Sequence, residues 1–291
     1  MLMIFGLLFA CSMVFGIYTL GGGSIQVLIK ALPMELGIIG GAGFGSFLAA
    51  NKASVIKATL RDILISFKGS KYKRKDYEDV LVLIFNIMKH AKSKGVMSLE
   101  QHIETPASSI FFKNYPNILS NNQILDLICD TLRVISLNVD NPMQIEEVME
   151  KKLKKIEHEL LGSSHALQVL ADGLPALGIV AAVLGVIKTM SSIDQPPVIL
   201  GGMIGGALVG TFLGVFLAYC IVAPLANKVK SIYEQDMHIY FVIRDVIVSY
   251  LHNNPPQIAV EMGRTNIPTE YQPSFLELEA ALQKGGVGEV S

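Results

Sequence analysis

Residues 196–226 read PPVILGGMIGGALVGTFLGVFLAYCIVAPLA and contain no charged side chain. About 20 mostly apolar helical residues suffice to cross the hydrocarbon core of a bilayer, so this run is long enough by itself. Working outward, residues 1–20 also carry no charge. Residues 36–50 are apolar and glycine-rich between Glu35 and Lys52, and residues 174–187 are apolar up to Lys188. The two shorter runs reach spanning length by borrowing neighbours such as Leu32, Thr189 and Met190; standing alone, each would suit a buried core helix. The expected fold class is all-α: a polytopic membrane protein with four transmembrane helices and a helical cytoplasmic domain. Its expected divisions are 1–50 (first two spans), 51–165 (cytoplasmic domain), 166–227 (last two spans) and 228–291 (cytoplasmic extension and tail).

Composition agrees. Of 291 residues, 51% are hydrophobic and 17% charged, where a soluble domain carries about 25% charged residues. Residues 1–20 differ from a cleaved signal because nothing basic precedes the apolar run and Gly21, Gly22 and Gly23 follow it in place of a small-residue cleavage pattern. Cys11, Cys129 and Cys220 are too few for a disulfide framework, and two of them lie in apolar runs, so all three suit packing. The six histidines have no metal-ligand spacing, and no Gly-rich phosphate loop is present. The expectation is therefore no metal, no cofactor, no nucleic-acid partner and no enzyme chemistry.

Basic residues orient the chain. Lys52, Lys57, Arg61, Lys68, Lys71, Lys73, Arg74 and Lys75 follow the second run, and Lys228 and Lys230 follow the fourth. The other two connections hold only Lys30 and Lys188. Cytoplasmic loops carry the excess of Lys and Arg, which puts both termini and the long loop inside the cell. Small residues recur every four positions at Gly202, Gly206, Gly210, Gly214 and Ala218, and at Gly37, Gly41, Gly45 and Ala49. Such stripes let helices approach closely in lipid, within one bundle or between copies. With these boundaries no Asp or Glu falls inside a span. An ion pathway normally needs an intramembrane ionisable group, so an ion-carrying acid is expected on another subunit.

The loop has helical periodicity. Val80, Leu81, Leu83, Ile84 and Ile87 mark one amphipathic helix, and Ile124, Leu127, Ile128, Leu132 and Ile135 a second. Residues 143–160 form a third, rich in Glu and Lys, after the break at Asn141 and Pro142. Residues 227–252 continue the fourth span until Asn253, Asn254, Pro255 and Pro256 stop it. The last dozen residues are expected to be disordered.

Ordered motifs then carry a resemblance over nearly the whole chain. They include Gly21-Gly22-Gly23, Pro33 and Glu35-Leu36, the stretch 40–47 (GGAGFGSF), residues 95–104 (GVMSLEQHIE), and Tyr115-Pro116. Leu174-Pro175-Ala176 with residues 178–182 (GIVAA), residues 210–214 (GTFLG), Pro224-Leu225-Ala226, residues 255–261 (PPQIAVE) with Gly263-Arg264, and residues 273–277 (PSFLE) complete the set. The chain resembles the MotA family, the larger stator subunits of the bacterial flagellar motor, within the MotA/TolQ/ExbB superfamily.

The resemblance implies an inner-membrane homopentamer around two helices of MotB, the ion-carrying, peptidoglycan-anchored partner. Ion flow past a MotB aspartate would turn the ring against the rotor protein FliG. Lys92 and Glu100 match the rotor-facing charges; related chains carry Arg at the position of Lys92, and Lys lacks the bidentate fork of Arg. Pro175 and Pro224 match the prolines at the cytoplasmic ends of the third and fourth spans, and Thr211 a pore-facing threonine. Ala182 stands where sodium-driven, PomA-like relatives carry threonine. Losing that hydroxyl removes a ligand for a hard cation and favours protons. ExbB- and TolQ-like energisers of the outer membrane are the rival; they have three spans and lack the 95–104 stretch.

Overall fold

The computed structural model describes residues 2–137 and 141–285, and every regular element among them is helical. The elements are α1 (Leu2–Leu20), α2 (Ile25–Ala50), α3 (Ala53–Ile65), α4 (Arg74–Lys94), the short α5 (Glu100–Glu104) and α6 (Pro116–Leu119), and α7 (Asn122–Ser136). There follow α8 (Pro142–Met190), α9 (Pro197–Phe216), a π-helical segment (Leu217–Val222), α10 (Ala223–Leu251), α11 (Pro256–Thr265) and α12 (Phe275–Lys284). Four helices are long and apolar enough to cross a membrane: α1, α2, α8, and α9 with its continuation into α10.

Proline sets several starts. Pro197 and Pro256 open α9 and α11, where the missing N–H costs no helical hydrogen bond and the fixed φ already suits the helix. Ahead of α11, Asn253 takes φ 64, a left-handed turn that Asn tolerates better than most residues. A reciprocal cap opens α12: the Glu277 N–H donates to Ser274 Oγ at 3.3 Å and the Ser274 N–H donates to Glu277 Oε2 at 2.7 Å. The helix runs to Lys284, so residues 280–284 of the tail expected to be disordered are helical; residues 286–291 of that expectation lie outside the described residues. The Glu- and Lys-rich helix expected at 143–160 and the apolar run 174–187 belong to one continuous α8, because residues 161–173 offer no helix-breaking pair between them.

The described chain forms two compact units. The first comprises Met1–Gly69 and Leu160–Ile232. Its apolar centre is Ile39, Leu174, Ala181, Leu213 and Ala218, flanked by Leu32, Leu170, Leu177, Leu217 and Val222. On α1, Phe15 packs edge-on against Phe212 and Phe216, while the rest of that helix leaves Leu2, Phe5, Leu8, Phe9 and Ile17 exposed. The α3 helix is held by the buried Asp62, which accepts from Ser163 Oγ at 2.6 Å and Arg61 Nε at 2.9 Å.

The second unit comprises Ser70–Glu159 and Tyr233–Ser291. Here α4 is central: Tyr77, Val80, Leu81, Leu83, Ile84, Ile87 and Met88 are all buried. Ile84, Ile87 and Met88 line one small apolar space with Ile128, Leu132 and Ile135 of α7 and Ile247 of α10. Several polar groups inside the unit are paired, whereas His238 Nδ1 has no hydrogen-bond partner among the described residues. Asp236 accepts from Ser70 Oγ at 2.6 Å and the Lys71 N–H at 3.0 Å. The Asn121 amide donates to Tyr72 Oη at 2.6 Å, and Tyr240 Oη donates to Gln123 Oε1 at 3.1 Å. Such pairing removes the cost of burying polar atoms.

Candidate functional site

The four-residue glycine stripe on α9 is a packing face within the first unit. A Cβ on Gly178 would fall 2.8 Å from the Gly210 carbonyl oxygen and 3.0 Å from Gly214 Cα. One on Gly214 would fall 2.7 Å from the Leu174 carbonyl oxygen. Real Cβ contacts are not this short, so α8 and α9 touch backbone to backbone here, which only glycine permits. On α2 the buried face is a different one from the stripe read in the sequence. Glu35, Ile39, Gly43 and Phe47 are buried, and Gly43 sits against Leu170, Leu174 and Leu177. Gly37, Gly41, Gly45 and Ala49 are exposed.

Glu35 corrects a second expectation. In the sequence the apolar run is bounded at Glu35, which leaves no acid inside a span. Yet α2 starts at Ile25, so Glu35 lies well inside a helix long and apolar enough to span. One charged residue among many apolar ones does not end a helix, because Glu is itself a good helix former. Its side chain is 4% exposed. Oε2 has no hydrogen-bond partner among the described residues, and it lies 2.5 Å from where a Cβ on Gly210 would stand. That same point is 3.2 Å from Ala181 Cβ and 3.2 Å from the Ala182 nitrogen. Gly210 thus leaves the space that the carboxyl group fills.

Four of the expected site residues fall in this unit. Ala182 is half-buried, its backbone against Gly210, and Thr211 is the next residue after Gly210 on α9. These two and Glu35 therefore gather around one glycine. Pro175 lies inside α8, beside the Leu174 carbonyl that rests on Gly214. Pro224 stands two residues after Val222, the end of the π-helical segment Leu217–Val222. A proline inside a regular α-helix collides with the carbonyl four residues back, and a wider π turn is a common way to accommodate such an irregularity. Such a turn precedes Pro224, whereas α8 runs on as α-helix through Pro175.

Lys92 and Glu100 lie in the second unit and are both exposed. Lys92 is in the last turn of α4 and Glu100 opens α5. Between them Gly95 takes φ 84, a conformation that strains other residues, and caps α4 through its N–H to the Ala91 carbonyl oxygen at 2.9 Å. The turn rests on an aromatic cluster. His102 meets Phe111 with ring centroids 4.8 Å apart, and His90 meets Phe111 at 5.2 Å. Burial lowers the pKa of both imidazoles below the usual value, reinforced at His90 by Lys94 and at His102 by His90.

Residues 4–95 match the profile described as Motility protein A N-terminal, and residues 120–240 that of the MotA/TolQ/ExbB proton channel family. Motility protein A of Escherichia coli (strain K12) is 39% identical over 279 residues, covering 96% of this chain and 94% of that protein. The structure of C. jejuni MotAB aligns with TM-score 0.70 and 19% identity, over 92% of this chain and 96% of that one. The flagellar MotAB stator complex from Bacillus subtilis aligns with TM-score 0.69 and 20% identity, over the same shares. Those two likenesses establish a common fold.

Proposed function

This chain belongs to the motility protein A family, and from that premise we propose that it is the larger stator subunit of a bacterial flagellar motor. With a MotB-type partner it forms a proton channel and turns ion flow into torque. The observation that carries this is the match to motility protein A along nearly the full length of both chains. A channel of the wider family could instead energise the outer membrane as ExbB and TolQ do. Four long apolar helices and a motility-type first 95 residues support the motor.

Within this proposal the four apolar helices span the inner membrane. The basic residues from Lys52 to Lys75 lie in the cytoplasm with both termini. Five copies surround two partner helices, and the open face Gly37, Gly41, Gly45 and Ala49 suits close approach of a neighbouring helix. Pro175, Pro224, Thr211 and Ala182 serve the ion path and its shape changes, and Ala182 favours protons over sodium. Lys92 and Glu100 face FliG on the rotor.

The test is complementation. A strain lacking its own larger stator subunit should swim when this chain is expressed with its partner and stay still when either is expressed alone. In liposomes the purified chain alone should pass no protons. Swimming without the partner, or no swimming with it, overturns the proposal.

A further inference from the structure

A cavity of about 370 Å³ opens in the first unit between α2, α8 and α9. It is lined by Lys30 and Glu35 on α2, by Gly185, Lys188 and Thr189 on α8, and by Gly206 and Ala207 among others on α9. At about 30 Å³ per molecule, it has room for on the order of ten waters. From the ends of the helices inward, the deepest lining residues are Glu35, Gly185 and Ala207. Gly185 and Ala207 close that end, since a Cβ on Gly185 would stand 2.6 Å from Ala207 Cβ. Glu35 passes the closure: it lines the cavity, while Oε2 reaches the point over Gly210 beside Ala182.

We propose that Glu35 is a proton-relay group of this chain, taking a proton from cavity water and passing it on at Gly210. The proposal rests on the channel function above and adds to it a second acid besides the partner's. A hydronium ion in the cavity gives its proton to the carboxylate, leaving water and a neutral carboxyl group. The carboxyl O–H then gives that proton to water or a partner carboxylate on the Gly210 side, and the carboxylate is restored. A buried carboxyl oxygen with no donor is costly as an ion, so a group left in this state is built to hold a proton, at least transiently.

The lining chooses the proton over a metal ion. The charged groups around the cavity are Lys30 on α2 and Lys188 on α8, both exposed; α9 contributes none. Lys188 Nζ sits 4.0 Å from Met34 Sδ, which places one ammonium next to the residue preceding Glu35. The two ammonium groups disfavour any cation, hydronium included, so the choice lies in the ligands: a proton crosses by exchange along water and needs no ligand shell. A hard cation needs about six oxygen ligands. Among the side chains lining the cavity, the Thr189 hydroxyl, which donates to the Gly185 carbonyl oxygen at 2.9 Å, and the Glu35 carboxyl group offer oxygen, too few for such a shell.

The experiment uses membranes holding the chain with its partner. Dicyclohexylcarbodiimide, which modifies protonated carboxyl groups in apolar surroundings, should label Glu35 in the wild-type chain, detected by mass spectrometry. Glu35→Gln keeps shape and removes the proton site. It should leave co-purification of the partner intact while swimming speed falls about a hundred-fold or more, the scale of losing a proton-transfer group, and Glu35→Asp should recover part. A residue that only packs would tolerate Gln. If wild type swims and E35Q swims equally well, or Glu35 is never labelled, the relay is wrong. If wild type with its partner does not restore swimming at all, the channel function itself fails. Should E35Q not assemble, labelling of wild type decides alone.

Discussion

Gly178 and Gly214 meet backbone to backbone: a Cβ on Gly214 would stand 2.8 Å from Gly178 Cα, and the reverse distance is 3.0 Å. Because the Leu174 carbonyl oxygen is as close, neither helix can turn away from an added methyl. Gly214→Ala should therefore destabilise the bundle by about 1–3 kcal/mol, the usual cost of overpacking, despite the better helix propensity of Ala. Gly202→Ala is the control, since a Cβ there meets open space. Melting of the detergent-purified complex should fall for G214A and hold or rise for G202A. A G214A melting point at or above wild type would show that the helices are free to part.

Ser163 and Asp62 tie α8 to α3 by a hydrogen bond of 2.6 Å between largely sequestered groups, with Asp62 only 2% exposed. Ser163→Ala leaves Asp62 Oδ2 without its donor and should cost about 1–3 kcal/mol. Removing both groups with Asp62→Ala should cost less than the sum of the single changes, because no orphaned carboxylate remains. Additive losses would mean the two side chains stabilise the fold independently.

Acidification should loosen the second unit through His90 and His102. Both imidazoles are held below the ordinary value of 6.5, first by burial. The unfolded chain therefore binds protons at a higher pH than the folded one. Between these values the unfolded state carries more protons, so stability rises with pH. This contribution is full above about pH 6.5 and is lost as pH falls through the folded-state values. Thermal melts of the purified chain from pH 7.5 to 5 should show the decline, and His102→Gln, which keeps a polar group near Ser109, should flatten it. An unchanged slope in that variant would exclude His102 as a source.

Much of this was legible in sequence, and what was not has identifiable causes. The α9 run is apolar on every side, so no choice of face was needed to see it. On α2 a four-residue spacing of small residues fits more than one face of a helix, and Gly37, Gly41 and Gly45 give as regular a stripe as the face that is buried. The decision between them comes from Leu170, Leu174 and Leu177 on α8, which meet Gly43, and a single sequence does not say which side chains meet. Glu35 was visible as a residue but placed at a boundary, because a charge beside an apolar run looks like its end. A signal was available: Glu35 and Gly43 are eight positions apart on one helical face, with Ile39 between them. The meeting of Ala182, Gly210 and Glu35 joins three distant segments and depends on helix packing alone.

The exposed charges Lys92 and Glu100 stand eight positions apart on either side of the Gly95 turn. Rotor contact through them would act by charge, and charge makes a specific forecast. An alanine at either site removes an attraction worth up to about 1 kcal/mol at an exposed surface. Reversal, Lys92→Glu with Glu100→Lys, replaces attraction by repulsion and should impair swimming more than either alanine change. Because neither side chain is buried, the reversed chain should melt with wild type, which separates a lost contact from a lost fold. Matching reversals on the rotor protein should then restore part of the swimming. The measurement is swimming-halo diameter for the doubly reversed chain with wild-type and with reversed rotor. Normal halos on the wild-type rotor would show that these two residues do not carry the contact.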